Sequence, residues 1–258
     1  NIMYIQITEK CNMHCMHCGF ACTNRGKHMP LDTFYLASEV AKEWDDEFVY
    51  IGGGEPTLHP DFFKILFYLM RHFDNVELTT NGSRDKVMHR LRYILWEEDE
   101  ELCNHGMSSD NLTVALSLDQ YHDPISQWIK DWFKKAEEHN HRMQGSLGGH
   151  KISTYIKGDY MRVLSNAGRA KKNQLRPAKN KCVCPDIFIK PSGDIRLCGC
   201  IDAPIIGHVG QGISYEWEKF LHSEQLQDSK FYQDDQCIKV LQRCFPNYKQ
   251  LLEEFQNE

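Results

Sequence analysis

The regular alternation of predicted strands and helices over residues 3–165 is the feature that most restricts the fold. Short runs rich in β-branched and aromatic residues, such as MYIQI, FVYIGG and LTVALSL, alternate with longer segments of helical periodicity. In HPDFFKILFYLMRHF, for example, Phe62, Leu66, Leu69 and Phe73 share one helical face. Strands that alternate with helices form parallel sheets with helical crossovers. The sequence therefore predicts an α/β fold, open or closed into a barrel.

The pattern changes near residue 170. A basic and polar stretch, GRAKKNQLRPAKNK, is followed by a hairpin-like segment, IFIKPSGDIRLC, and then by two predicted helical segments. Domain boundaries fall in such polar linkers, where few contacts cross. We therefore expect a core domain over residues 1–170 and a short cysteine-rich extension over residues 171–258.

The chain has 258 residues and eleven cysteines, and ten of these cysteines form two groups. The odd count, the tight clustering and the lack of a secretion signal favour metal ligands over disulfide bonds. Cys103 stands alone, and we expect it to be buried or idle. The first group is Cys11, Cys15, Cys18 and Cys22, and the second is Cys182, Cys184, Cys198, Cys200, Cys237 and Cys244.

Cys11, Cys15 and Cys18 have the spacing C-x3-C-x2-C, directly after the first predicted strand. Parallel α/β folds place their chemistry at the C-terminal ends of strands. Three thiolates on a short loop can bind three corners of a [4Fe–4S] cube and leave the fourth iron open to another ligand. The alternative is a zinc site in which Cys22 or a histidine is the fourth ligand.

Polar segments also follow the next three strands. GGGEP, residues 52–56, follows the second strand, and its glycines allow a close approach of the backbone to a ligand. Backbone carbonyls there can accept from an ammonium group, and Glu55 adds a carboxylate acceptor. TTNGS, which contains Asn81, ends the third strand, and SLDQYH ends the fourth. We expect all of these segments to meet the cysteine loop at one barrel mouth.

The cysteine loop and the GGEP segment, in this order and spacing, resemble the radical S-adenosylmethionine (radical SAM) superfamily. NAGRA at residues 166–170 is similar to the Gly-Arg-Ala segment near the end of that family's core. The resemblance covers roughly residues 3–170, and His17 occupies a position that is often aromatic in the family. It implies that the α/β core is a partial (β/α)6 TIM-like barrel.

The resemblance also implies a mechanism. Cys11, Cys15 and Cys18 would hold a [4Fe–4S] cluster whose open iron binds the amino and carboxylate groups of S-adenosylmethionine. One electron, from a donor such as flavodoxin or ferredoxin, would then cleave the cofactor to a 5′-deoxyadenosyl radical that abstracts hydrogen from the substrate. The cofactor contacts that the resemblance implies are Gly53, Gly54, Glu55, Asn81, Ser117, Asp119 and Arg169. For Ser117 and Asp119, a solvated strand end is the alternative interpretation.

The second cysteine group resembles the SPASM and twitch extensions of the same superfamily, which hold auxiliary iron–sulfur clusters. The resemblance rests on Cys182, Gly193 and Cys198, which match the pattern C-x(9–15)-G-x4-C. The C-x2-C-x5-C-x3-C run of a full SPASM extension is absent, so we expect one auxiliary [4Fe–4S] cluster. Its expected ligands are Cys182, Cys198, Cys237 and Cys244. In a more local set, which would also suit zinc, Cys184 and Cys200 replace the last two.

The substrate is less constrained. A peptide, modified during natural-product maturation, is the commonest association of this extension. The alternatives are a small sugar or amine, a nucleotide or modified nucleic-acid base, and a non-catalytic iron–sulfur or zinc module. The net charge of −6 argues against nucleic acid, which only the basic run 169–181 favours. Tyr121, His122 and Asp123 are candidate substrate contacts, with a simple turn before Pro124 as the alternative.

The start of the sequence and its apolar runs bear on location. No apolar run is long enough to cross a membrane, and NIMYIQITEK lacks the apolar core of a secretion signal. We therefore expect a cytoplasmic protein with no membrane partner. The first predicted strand begins within three residues of the start, so we expect any peptide-recognition domain to be a separate protein.

Overall fold

A computed structural model provides the coordinates. It describes residues 3–44, 47–96, 109–143, 154–157, 168–175, 187–196, 199, 203 and 205–211. The helical segments predicted after residue 212 lie outside these residues. So do all six cysteines of the second group and Cys103. The predicted auxiliary cluster therefore stays a prediction.

The described strands form one eight-stranded sheet in the order β5-β4-β3-β2-β1-β6-β7-β8. The strands are β1 Met3–Thr8, β2 Phe48–Gly53, β3 Asn75–Thr80, β4 Leu112–Ser117, β5 Thr154–Lys157, β6 Ile187–Ile189, β7 Asp194–Arg196 and β8 Ile205–His208. All pairings from β5 across to β6 are parallel, whereas β7 and β8 are antiparallel to their neighbours. This open parallel sheet confirms the predicted α/β class and is consistent with a partial barrel.

Helices connect the successive parallel strands from β1 to β5, as the sequence periodicity predicted. They are α1 Leu31–Trp44, α2 Phe62–His72, α3 Asp85–Trp96 and α4 Gln127–Met143, and a short α5 covers Gly168–Lys172. The buried residues of α2 are Phe62, Ile65, Leu66, Leu69 and Met70. They recur at the three- and four-residue spacing that keeps one helical face against the sheet. In the part of the chain that the structure describes, no helix is both long and apolar enough to cross a membrane.

The C-terminal edge of the sheet brings the cysteine loop beside the GGEP segment. The parallel register of β1 and β2 pairs Ile5 with Ile51 and Thr8 with Gly53. Beyond the strands, the backbone N–H of Gly54 donates to Thr8 O at 2.8 Å, and that of Glu55 donates to Lys10 O at 2.8 Å. The two segments are therefore joined by backbone hydrogen bonds before the first cysteine.

Strands from beyond residue 170 extend the same sheet. β6 pairs in parallel with β1, with Met3 opposite Ile187 and Ile5 opposite Ile189. β6 and β7 form the hairpin that the sequence predicted in IFIKPSGDIRLC, with Phe188 opposite Arg196. Strands β6–β8 thus continue the core sheet, and the predicted domain boundary at residue 170 stays a prediction.

Candidate cluster and cofactor site

The cysteine loop, residues 11–22, packs into the C-terminal edge of the sheet. Cys11, Cys15 and Cys22 are buried, together with Met13, and Cys18 packs against them while partly exposed. All four are free thiols. The thiols thus lie largely away from solvent and beside an apolar side chain, although other residues of the loop, such as Met16, are exposed.

The spacing of the thiols can be compared with that of the ligands in a zinc site. A tetrahedral zinc ion holds thiolates at about 2.3 Å, which places neighbouring sulfur atoms about 3.8 Å apart. Among the described residues, only one group of three candidate ligand atoms lies mutually within 4.8 Å, and it contains none of these cysteines. No three sulfurs of the cysteine loop therefore lie as close together as the ligands of a single zinc ion, and the assignment of Cys11, Cys15 and Cys18 to a cluster stays a prediction.

The thiols differ in acidity when nothing is bound. Burial raises the pKa of Cys11 to about 11 and also raises the pKa of Cys15. Hydrogen bonding from the Cys22 thiol lowers the pKa of Cys18 to about 5, and the Arg169 charge adds to the effect. The same contact raises the pKa of Cys22. Because metal-bound thiols are deprotonated, binding of a metal at Cys11 or Cys15 would release a proton.

Glu55 joins β2 to β3 through a fully buried carboxylate. Oε1 accepts from the Thr57 N–H at 3.1 Å, from the Thr57 hydroxyl, and from the Thr80 hydroxyl at 2.7 Å. Oε2 accepts from the Asn81 backbone N–H at 2.7 Å. Burial raises the pKa of Glu55, and these hydrogen bonds oppose that shift. The carboxylate is thus engaged by the protein and has no exposed surface.

Asn81 and its neighbours connect the end of β3 to the cysteine loop. Asn81 Nδ2 donates to Cys11 Sγ at 3.8 Å and to Asn12 Oδ1 at 3.4 Å. Asn12 in turn donates through Nδ2 to Ser83 Oγ at 2.8 Å. The start of the cysteine loop is therefore fastened by side chains from the TTNGS segment.

The segment after β4 fastens the middle of the same loop. The Asp119 carboxylate lies 2.8 Å from His122 Nδ1 and 3.5 Å from His17 Nε2, and these three residues are the group within 4.8 Å. Asp123 Oδ2 accepts from the His14 backbone N–H at 3.0 Å. The contact between Asp119 and His122 has the length of a hydrogen bond and lies within the segment itself. The contacts to His17 and His14 are those that reach the loop.

Arg169 fastens the end of the loop from the start of α5. Its Nε donates to Cys15 O at 2.8 Å, one Nη donates to Cys22 O at 2.7 Å, and its backbone N–H donates to Cys18 O at 2.9 Å. A Cβ on Gly168 would lie 2.5 Å from Cys18 O, and φ there is +55°, so glycine permits this close approach. The other nitrogen, Nη2, is buried without a hydrogen-bond partner among the residues that the structure describes.

The family model of the radical SAM superfamily matches residues 5–173. The chain belongs to the radical SAM superfamily. Membership implies S-adenosylmethionine and a [4Fe–4S] cluster as cofactors, and the free thiols of the cysteine loop fit the second of these.

Two curated relatives match part of this radical SAM chain. Mycofactocin maturase MftC from Mycobacterium tuberculosis is 36% identical over 121 residues, which cover 44% of this chain and 26% of that protein. A probable GTP 3',8-cyclase from Saccharolobus solfataricus is 26% identical over 129 residues, covering 49% of this chain and 41% of that protein. The chain therefore spans less than half the length of these relatives.

A solved structure shares the fold. BtrN in complex with AdoMet and 2-DOIA aligns with a TM-score of 0.55 at 13% identity, covering 88% of this chain and 83% of that chain. At this identity the likeness concerns the fold alone, and it agrees with the open parallel sheet of a radical SAM core.

The structure brings the predicted site residues of the radical SAM core to one edge of the sheet. Gly53 and Gly54 adjoin the cysteine loop, and Ser117 is buried at the end of β4. The carboxylates of Glu55 and Asp119 and the guanidinium of Arg169 are hydrogen-bonded to other parts of the protein. The predicted substrate contacts His122 and Asp123 also contact protein groups. Their assignment to cofactor or substrate stays a prediction.

Sequence reasoning did not single out Asn12, Thr57, Thr80, Ser83 or Asn173. Asn173 Nδ2 donates to Met16 O at 2.8 Å, across 157 positions of the chain. Short polar residues of this kind occur in most loops, so only the tertiary contact marks them. The local signal is their position: Asn12 lies in the cysteine loop, Thr80 and Ser83 lie in TTNGS, and Thr57 and Asn173 lie close after GGEP and the Gly-Arg-Ala segment.

Replacing Gly54 with alanine should destabilise the chain and impair cluster retention. The added Cβ would overlap Lys10 O and approach Cys11 Cβ to 2.9 Å, against backbone that cannot rotate away. Overpacking of this kind costs about 1–3 kcal/mol. Denaturant unfolding and iron content would measure the effect. Gly210→Ala is the control, since its Cβ meets only His208 Nδ1 at 3.7 Å. Equal iron retention in the two variants would contradict the prediction.

Replacing Glu55 with glutamine should destabilise the fold although it removes a buried charge. One amide oxygen cannot replace both carboxylate oxygens, and the new NH2 group would face the donor Asn81 N–H or the threonine hydroxyls. We expect a loss of roughly 1–3 kcal/mol in the free energy of unfolding, measured with denaturant on the metal-free chain. Glu39→Gln, at an exposed position of α1, should change stability little. Unaltered unfolding of Glu55→Gln would rule out this supporting role.

Proposed function

We propose that the chain is a radical SAM enzyme that modifies a peptide during natural-product maturation. The observation that carries the proposal is the set of three free cysteines, Cys11, Cys15 and Cys18, on one loop at the C-terminal edge of a parallel sheet. A relative that is 36% identical over 121 residues is by name a maturase, which supports a maturation role.

In this proposal Cys11, Cys15 and Cys18 hold a [4Fe–4S] cluster that leaves one iron open. When bound, the cluster and S-adenosylmethionine supply a one-electron cleavage that generates a hydrogen-abstracting radical. Backbone carbonyls of Gly53 and Gly54 would accept from the amino group of the cofactor. The buried Arg169 Nη2 would donate to its carboxylate, and Ser117 and Asp119 would adjoin its ribose or methionyl end.

The chain's own residues position the loop and limit access to it. Asn81, Asp123 and Arg169 hold the loop from three directions through the contacts described above. Buried Met13 beside Cys11 and Cys15 keeps water from the ligand sulfurs. Fixed ligands and a dry site are what radical chemistry requires, because a stray hydrogen donor would quench it.

The proposal extends to an auxiliary cluster at Cys182, Cys198, Cys237 and Cys244, with Cys184 and Cys200 as alternative ligands. An oxidation of the substrate would use such a cluster as an electron acceptor. A flavodoxin or ferredoxin would supply the electron for the first cluster. The core and its extension would divide at residue 170.

The first test is anaerobic purification, reconstitution, and measurement of iron, sulfide and zinc per chain. The same sample then receives dithionite and S-adenosylmethionine, and 5′-deoxyadenosine is assayed. About eight irons with 5′-deoxyadenosine formation would support two clusters, and about four would restrict the proposal to the first. Zinc alone in a folded sample, with no 5′-deoxyadenosine, would overturn it.

A nucleotide substrate is the second candidate, because one relative is by name a probable GTP 3',8-cyclase. Stimulation of 5′-deoxyadenosine formation by GTP, and not by members of a synthetic peptide library, would favour the nucleotide. The reverse result would favour the peptide. Deuterium transfer from labelled substrate into 5′-deoxyadenosine would identify the true substrate in either case.

A further inference from the structure

The side chain of Asn81 has a complete set of hydrogen-bond partners within the protein. Oδ1 accepts from the Ser83 backbone N–H at 2.9 Å. Nδ2 donates to Cys11 Sγ at 3.8 Å and to Asn12 Oδ1 at 3.4 Å. The residue is 94% buried, with an exposed fraction of 6%. The Asn81 amide thus links the predicted cluster ligand Cys11 to Asn12 and Ser83.

These partners determine which end of the amide faces the sulfur. A backbone N–H can only donate, so the Asn81 atom that meets Ser83 N must be the oxygen. The NH2 group then points at Cys11 Sγ, and Asn12 Oδ1 accepts its second hydrogen. Because an NH2 group can only donate, the Asn12 atom that meets Asn81 Nδ2 must be the oxygen, and the Ser83 hydroxyl at 3.0 Å can donate to the same oxygen.

The buried Glu55 carboxylate holds the backbone from which this amide projects. Its Oε2 accepts from Asn81 N at 2.7 Å, while Oε1 accepts from the preceding residue, Thr80, at 2.7 Å. The Thr80 hydroxyl also accepts from Gly82 N at 3.1 Å. The backbone on both sides of Asn81 is therefore tied to Glu55, so the amide has little freedom to turn away from Cys11.

A donor aimed at a ligand sulfur affects the two redox states of a cluster differently. The reduced state carries one more negative charge, so an N–H···S hydrogen bond stabilises it more than the oxidised state. Hydrogen bonds to the sulfurs are among the factors that set the reduction potential of iron–sulfur clusters. The Met13 backbone N–H also donates to Cys11 Sγ, at 3.4 Å, so this sulfur receives two donors.

We propose that Asn81 is a positioning residue that raises the reduction potential of the cluster through its N–H···S hydrogen bond to Cys11, and that Glu55 acts through Asn81. The inference rests on the proposed function, because it requires a cluster at Cys11, Cys15 and Cys18. In this proposal Glu55, the glutamate of GGEP, affects reduction of the cluster although its carboxylate does not contact the cofactor.

The test is a potentiometric titration of the reconstituted chain, followed by electron paramagnetic resonance of the reduced cluster without S-adenosylmethionine or substrate. Asn81→Leu removes the donor at similar volume, and we expect a more negative midpoint potential. A tenfold decrease in the equilibrium constant for reduction of the cluster would correspond to a shift of about 59 mV for one electron. Asn81→Asp places a second oxygen against the sulfur, so its shift should be larger and in the same direction.

Asn111→Asp is the matched control at the opposite end of the sheet. Asn111 also donates through Nδ2 to two acceptors, Met70 O at 2.6 Å and Phe73 O at 2.9 Å, far from the cysteine loop. This variant should lose stability and keep the potential of the unmodified chain. A shift of equal size in Asn111→Asp would overturn the proposal, because the effect would then follow from destabilisation alone.

Other outcomes would also contradict the proposed role of Asn81. A fully loaded Asn81→Leu variant with an unchanged potential, or one in which only affinity for S-adenosylmethionine falls, would overturn the proposal. Loss of the cluster from Asn81→Leu and from the smaller change Asn81→Ser would also overturn it, since Asn81 would then be needed for assembly. If the unmodified chain itself held no reducible cluster, the proposed function would fail first.

Discussion

Replacing Cys15 with alanine should remove the iron of the cysteine-loop cluster, about four irons per chain, whereas the same change at Cys22 should leave most of that iron in place. Three thiolates are the minimum that holds a cube with one open iron, so the loss of one ligand leaves the cluster with two attachments. Cys22 is equally small and buried, but it meets Cys18 and accepts from Gln6 Nε2 at 3.6 Å as a neutral neighbour. The measurements are the iron and sulfide content per chain and the formation of 5′-deoxyadenosine.

Comparison of Cys15→Ala with Cys22→Ala distinguishes a [4Fe–4S] cluster from a zinc site. In a zinc site made of Cys11, Cys15, Cys18 and Cys22, both replacements would remove one of four ligands and both would lose the metal. Equal losses, with zinc in place of iron in the unmodified chain, would therefore contradict the cluster assignment. Thermal unfolding of the metal-free variants checks that neither result comes from a failure to fold.

Replacing Arg169 with alanine should both destabilise the chain and impair cluster retention. The carbonyl oxygen of Cys22 would lose its Arg169 donor, and that of Cys15 would keep only the longer contact from the Cys18 N–H at 3.3 Å. A buried acceptor left unsatisfied costs about 1–3 kcal/mol. Lysine keeps the charge but lacks the planar fork that reaches two carbonyls at once, so Arg169→Lys should recover only part of the loss. Denaturant unfolding of the metal-free chain and iron content after reconstitution are the measurements.

Arg25→Ala is the control for Arg169, because Arg25 is exposed and lies just after the cysteine loop. It should match the unmodified chain in stability and iron. If Arg169 served only to bind the carboxylate of S-adenosylmethionine, Arg169→Ala would keep normal stability and iron and lose only affinity for the cofactor. That result would contradict the inference that Arg169 holds the cysteine loop in place through its three donor contacts.

Much of the core could be predicted because its signals are local. The helical face of α2 and the β-branched runs of β1 and β4 are readable within a window of a dozen residues. Helix α2, Phe62–His72, lies within the predicted segment HPDFFKILFYLMRHF. The spacing of Cys11, Cys15 and Cys18 is equally local, and it led to the superfamily that the family match then confirmed.

The roles of the polar site residues could not be predicted in the same way. Glu55 looked available to a ligand, but Thr80 and Asn81, 25 and 26 positions later, enclose its carboxylate. Arg169 meets Cys15 across 154 positions. A residue type states which hydrogen bonds a side chain can make, but the partner depends on which strands become neighbours.

The sequence by itself determined the α/β class, the helical and strand segments of the described core, and the family, because hydrophobic periodicity and cysteine spacing are properties of short stretches of chain. The tertiary structure decided that β6 pairs with β1, that Asn81 faces Cys11, and that Arg169 fastens the cysteine loop. These contacts join residues between 70 and more than 180 positions apart. They exist only once the packed sheet has brought its C-terminal loops to one edge.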